Sequence, residues 1–157
     1  MHKFLDDNII AIFFFISVLI LLSAYFIEYI LGYEACNLCL IERIPYFFAI
    51  VLSFFFLLSG KYKKLILTLL FISFISSALI AFYHFGIEQN FFDESFVCKI
   101  KSLNQNVSVN ELLQELENNK KSCKNVNFKI FGLSLATINL FISLISSTII
   151  FKNIYKK

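Results

Sequence analysis

The stretch IIAIFFFISVLILLSAYFIEYIL, residues 9–31, decides how the chain folds. It holds one charged residue, Glu28, close to its far end. A helix rises 1.5 Å per residue, so about 20 apolar residues cross the hydrocarbon core of a bilayer. This run is long enough, and three more follow at about 41–59, 65–83 and 130–151. Of the 157 residues 59% are hydrophobic, and the mean hydropathy is +0.77. A soluble domain of this size cannot hide so much apolar surface from water. The expectation is an all-α integral membrane protein: a four-helix transmembrane bundle forming a single membrane domain over 1–157. Lys3 before the first run invites a signal-peptide reading. Asp6 and Asp7 in the charged region, and an apolar run too long for a cleaved leader, favour a retained helix. A net charge of +3 is too small to point to a nucleic-acid partner.

Charge sets the expected orientation. The short loop 60–64 carries Lys61, Lys63 and Lys64, the N-terminus carries Lys3, and the tail carries Lys152, Lys156 and Lys157. The loop 32–40 contains no Lys or Arg. Positive-inside reasoning places both termini and the 60–64 loop in the cytoplasm. The loop 32–40 and the long segment 84–129 then face outward. All four cysteines, Cys36, Cys39, Cys98 and Cys123, fall in those outer segments. An oxidising compartment is where disulfides persist, so two independent lines of reasoning agree.

The long outer segment is too patterned for a plain linker. Ser108-Val109-Asn110-Glu111 reads as a capping box. Val109, Leu112, Leu113 and Leu116 follow at i, i+3, i+4 and i+7, one apolar stripe. A short amphipathic helix is expected there, lying on the membrane surface or on the bundle tops. Cys98 and Cys123 bracket it. A bond between them would close the loop across its base and stabilise it by roughly 3–4 kcal/mol from loop-closure entropy.

The chemistry concentrates in Cys36-Asn37-Leu38-Cys39-Leu40-Ile41-Glu42-Arg43. Four cysteines allow three pairings, of which Cys36 with Cys39 and Cys98 with Cys123 is the natural one. A C-x-x-C disulfide is readily reduced, which suits redox work. The alternatives are disulfides that only brace the fold and a four-thiolate zinc site. Against zinc, the second pair lacks C-x-x-C spacing, so no metal is expected. Arg43, four residues after Cys39, shares a helical face with it if the second helix begins near Leu40. Its permanent charge favours thiolate, and its N–H fork suits a quinone carbonyl. The competing reading has Arg43 snorkelling to headgroups, paired with Glu42. His84 closes the third run with Glu88 one turn on, a contact that would tune a proton acceptor. Glu28 is read as reaching for the headgroups.

Over essentially its whole length the chain resembles the bacterial disulfide bond formation protein B (DsbB) family. The resemblance rests on the residues just quoted. It rests also on Tyr83-His84-Phe85-Gly86-Ile87-Glu88 before Cys98, and on Cys123 followed by Phe131-Gly132-Leu133-Ser134. It implies a protein dithiol:quinone oxidoreductase of the bacterial inner membrane. Its partner would be a DsbA-like periplasmic thioredoxin-fold protein, and its cofactor membrane quinone, ubiquinone or menaquinone. It further implies that Cys98 and Cys123 take electrons from the partner, with Cys98 forming the mixed disulfide. Cys36 and Cys39 would reoxidise that pair. Cys39 would face the quinone, with Arg43 and His84 near it. Phe128 stands where many members have Trp. Two other readings remain: a vitamin K epoxide reductase-like enzyme, and a non-enzymatic membrane subunit with structural disulfides.

Overall fold

A computed structural model of the chain describes residues 2–33, 35–93, 98, 123, 129–130 and 132–155, with backbone alone for 2–7 and 129–130. The described residues form four long helices: α1 (His2–Tyr29), α2 (Asn37–Ser59), α3 (Lys63–Glu88) and α4 (Leu135–Tyr155). Each contains a segment long and apolar enough to cross a membrane. The chain is therefore an all-α transmembrane bundle. α1 packs on α2, α2 on α3, and α3 on α4. A two-stranded hairpin, β1 (Lys129–Ile130) antiparallel to β2 (Leu133–Ser134), leads into α4. The amphipathic helix expected at Ser108, Val109, Leu112, Leu113 and Leu116 lies outside the described residues.

Local chemistry explains where the helices begin and end. Gly60 closes α2 with a left-handed φ of 64°, its N–H bonded to the Phe56 carbonyl at 2.7 Å, a conformation glycine adopts without steric cost. α2 starts earlier than its apolar run, because Cys36 caps it: the Cys36 sulfur accepts the Cys39 N–H at 3.1 Å. α3 continues past its apolar run to Glu88, so His84 and Glu88 are helical. α4 starts later than its run. Gly132, at φ 82°, sits in the hairpin turn, and Ser134 accepts the Thr137 N–H at 3.2 Å as an N-cap.

The exterior is apolar and the interior unusually polar. Leu19, Phe47, Phe55 and Leu79 are all more than 60% exposed; in a membrane they face lipid, which solvates them as well as a protein core would. Serines 17, 53, 73, 77, 143, 146 and 147 are buried. Small side chains let membrane helices approach closely: α3 buries Ser73, Ser77, Ala78 and Ala81, α4 buries Ala136, Ser143 and Ser147, and Ser143 bonds to Ser77 between the two helices. Ser73 also donates to the Pro45 carbonyl at 2.7 Å, tying α3 to α2. An apolar cluster including Ile10, Phe13, Leu70, Phe74 and Ile150 fills the interior away from the cysteines. Phe74 meets Phe13 and Tyr46 at centroid distances of 5.4 and 5.8 Å.

Candidate redox site

The start of α2, the end of α3 and the start of α4 meet at one end of the bundle, opposite the turn between α2 and α3. Cys36 and Cys39 form a disulfide there, with Cα atoms 5.1 Å apart. Cys98 and Cys123 form a second, with Cα atoms 5.9 Å apart. Buried Cys123 packs with Leu38 and Ile87, and Cys36, Tyr83 and Cys98 pack against them. Both disulfides thus belong to one apolar cluster.

A chain of hydrogen bonds runs from this cluster into the bundle. His84 Nε2 lies 3.6 Å from Cys36 Sγ. His84 Nδ1 lies 2.7 Å from Glu42 Oε1. Asn139 donates to Glu42 Oε2 at 2.7 Å and accepts the Tyr46 hydroxyl. Tyr46 is also 2.8 Å from Ser143 Oγ, which donates to Ser77 Oγ at 3.0 Å. Helical spacing makes the chain possible. Glu42 and Tyr46 are one turn apart on α2, and Asn139 and Ser143 one turn apart on α4, so each pair lines a single face. Both Glu42 and His84 are buried.

Arg43 does not pair with Glu42, as the competing reading would have it. Neighbouring helical residues point about 100° apart, from 3.6 residues per turn, and Glu42 faces the core. Arg43 turns to α1, where its Nη1 meets Glu28 at 2.5 Å and its guanidinium lies 4.9 Å from the centre of the Tyr25 ring. Glu28, read as a headgroup contact, is this ion-pair partner. Glu88 does approach His84, Oε1 to Nε2 at 3.8 Å.

Of the residues singled out from sequence, Cys36, Cys98, Cys123 and His84 converge on the cluster, Cys39 joins through its disulfide, and Arg43 lies on the α1 side of α2. Glu42, Asn139 and Tyr46 had not been assigned site roles. A carboxylate and an amide inside apolar runs were the available signal, since intramembrane polar groups are costly and paired. The potential ligand atoms of Cys36, Cys39 and His84 lie within 4.8 Å of one another. In the disulfide neither sulfur is a thiolate, the form that binds metal.

Two disulfides sharing one apolar cluster at the end of a four-helix membrane bundle define a multi-pass membrane protein built for thiol–disulfide chemistry. The sequence relationships agree: residues 6–152 match the family described as disulfide bond formation protein DsbB. The chain belongs to that family, which carries an oxidoreductase role in disulfide formation. It is also 31% identical over 131 residues to the uncharacterized protein RP370 of Rickettsia prowazekii (strain Madrid E), covering 82% of this chain and 76% of that protein. No solved structure matches the chain.

Proposed function

We propose that the protein is a dithiol:quinone oxidoreductase that reoxidises a DsbA-like periplasmic protein. The observation that carries this reading is the gathering of both disulfides into one cluster. Electrons enter at Cys98–Cys123, with Cys98 taking up the partner's sulfur, and pass by thiol–disulfide exchange to Cys36–Cys39. The whole chain acts as a single membrane domain in the bacterial inner membrane, with its termini in the cytoplasm and its cysteines in the periplasm.

The residues around Cys39 fit a membrane quinone. The Arg43 guanidinium carries five N–H donors, of which the Glu28 contact engages Nη1, so donors remain for a carbonyl oxygen. Leu40 and Ile44, on the lipid-facing side of α2, are exposed and offer apolar surface to a ring and tail. A bound quinone supplies the two-electron sink that the pathway needs. DsbA is a strong oxidant at about −120 mV, and each ~30 mV of uphill transfer costs about 1.4 kcal/mol for two electrons. Arg43 holds the Cys39 sulfur as thiolate, and the N-terminus of α2 adds positive field beside it. The apolar cluster keeps water from the exchange between the two pairs.

The test is turnover: purified protein with ubiquinone or menaquinone oxidises a reduced DsbA-like dithiol protein. Cys39→Ser abolishes turnover; full activity in that variant overturns the assignment of the sulfur. Membrane-impermeant thiol labelling of intact cells, after mild reduction, reaches Cys36 and Cys39 from outside, and labelling only from the cytosol refutes the orientation.

A further inference from the structure

We infer that His84 is the acid–base group of Cys36, held in its working tautomer by Glu42 and, behind it, Asn139. The inference rests on the oxidoreductase reading and adds to it the means by which the outer sulfur of the C-x-x-C pair loses and regains its proton.

The argument starts from Asn139. Its side chain meets a carboxylate oxygen on one side and a phenol on the other. The ionised carboxylate only accepts, so the amide nitrogen must face Glu42 and the amide oxygen must face Tyr46. Glu42 Oε2 is then satisfied, and Oε1 takes the proton on His84 Nδ1 at 2.7 Å. A histidine that donates from Nδ1 presents a lone pair at Nε2. That nitrogen is the one 3.6 Å from Cys36 Sγ, within the range of a sulfur hydrogen bond. Nucleophile, base and orienting carboxylate stand in the order that activates sulfur elsewhere in enzyme chemistry.

The step balances within the protein. When the Cys36–Cys39 bond is reduced and Cys36 is a thiol, its S–H proton passes to His84 Nε2. A thiolate and an imidazolium result. The thiolate's electron pair then forms a bond to one sulfur of a disulfide, and the other sulfur of that disulfide leaves as thiolate. In reverse, Nε2 returns the proton to Cys36 as the sulfur is released. The charged and titratable groups facing the imidazole are Glu42 from α2 and Glu88 from its own helix, 3.8 Å from Nε2. The backbone of Cys123 accepts a hydrogen bond from the imidazolium, and Cys36 Sγ completes the surroundings. Asn139 of α4 is neutral, and the Arg43 charge is turned to Glu28 on α1. The imidazolium therefore forms between two carboxylates, Glu42 at 2.7 Å from Nδ1 and Glu88 at 3.8 Å from Nε2.

Alkylation of the fully reduced, quinone-free protein tests this without turnover. Iodoacetamide is applied from pH 5 to 9 and Cys36 modification is quantified by peptide mass spectrometry, with Cys98 as internal reference. At pH 6.5 the wild-type Cys36 rate exceeds that of His84→Ala at least tenfold. Glu42→Gln loses several-fold, Asn139→Ala loses less, and the Cys98 rate stays the same in all three. Added imidazole restores part of the His84→Ala loss. A Cys36 rate–pH profile in His84→Ala that superimposes on wild type overturns the inference, as does an equal fall at Cys98. If His84→Ala does not fold, Glu42→Gln decides by the same criterion. Normal alkylation differences in a protein that cannot reduce quinone would leave the acid–base assignment standing and remove the proposed function. Lost turnover with unchanged alkylation would do the opposite.

Discussion

Asn139→Leu is expected to destabilise the bundle by roughly 2 kcal/mol, and the reasoning can be checked by a double-mutant cycle with Tyr46→Phe. Leucine is close to asparagine in size, so the change removes hydrogen bonds with little change in packing. Two partners lose a bond: Glu42 Oε2, at 2.7 Å, and the Tyr46 hydroxyl. In water-soluble proteins each orphaned buried group costs about 1–3 kcal/mol, and more when charged. Membrane helices are gentler, with hydrogen bonds averaging ~0.6 and reaching ~1.7 kcal/mol, because the unfolded chain in lipid also finds partners. The carboxylate belongs at the top of that range, since His84 holds its other oxygen and it cannot swing away. The phenol belongs near the mean, since Ser143 remains 2.8 Å from it. Taking about 1.7 and about 0.6 kcal/mol on that scale gives the ~2 kcal/mol figure. Tyr46→Phe alone costs about 1 kcal/mol. In the Asn139→Leu background it costs about 0.6 kcal/mol less, because the shared bond is already gone. Reversible unfolding in mixed detergent micelles, with both disulfides intact, measures all four corners of the cycle. Independent sites add to within about 0.3–0.5 kcal/mol. An additive cycle, or a neutral Asn139→Leu, refutes the view that this amide links α2 to α4 through two made bonds.

Two further perturbations probe the region around the cysteines. Arg43→Ala raises the apparent KM for quinone in steady-state turnover. Glu28→Ala raises it by a smaller factor, about 2–5-fold, consistent with an exposed-to-partly-buried ion pair worth up to ~1 kcal/mol that only positions the guanidinium; unchanged KM in both rejects the role. Gly86→Ala drives a methyl group into the Phe92 ring, which must leave its contacts with Tyr83 and Phe82. The two contacts together are worth about 1–3 kcal/mol, against roughly 1 kcal/mol of helix propensity regained, so the melting temperature falls modestly. The Phe91 and Phe92 N–H groups bond to the Gly86 carbonyl, so the turn toward Cys98 shifts and disulfide transfer between the two pairs slows in rapid-quench thiol trapping. A normal transfer rate would show that this turn does not set their alignment.

Much of this architecture is legible because the bilayer imposes simple rules. Backbone groups in hydrocarbon must bond within the segment, so each apolar run such as 9–31 becomes a helix. Gly32 and Gly60 mark their breaks by the left-handed backbone that only glycine takes without cost. The element ends are less legible, because caps and not hydrophobicity decide them. A sulfur at Cys36 starts α2 and a hydroxyl at Ser134 starts α4, each overriding where the apolar composition begins or stops. Helical pairing through the side chains is least legible of all. Glu42 and Arg43 are adjacent and oppositely charged, and adjacency suggests a pair. Helix geometry forbids it, sending one into the core toward His84 and the other across to Glu28.

The same geometry explains why so costly a set of groups sits inside a bundle that apolar residues alone could hold together. A buried carboxylate is tolerated where each of its oxygens has a donor, and Glu42 has His84 on one oxygen and Asn139 on the other. Were stability the only purpose, a leucine at position 42 would serve as well and remove the need for two partners on two other helices. What leucine cannot do is fix which nitrogen of His84 faces sulfur. The chain of polar groups begins at Cys36 and is anchored progressively deeper, through Asn139, Tyr46 and Ser143 to Ser77. Each link restricts the rotation of the one before it. The arrangement therefore places its most rigid part in the packed middle of the bundle and delivers that rigidity to the sulfur at the rim, where a proton must move each time the disulfide opens and closes.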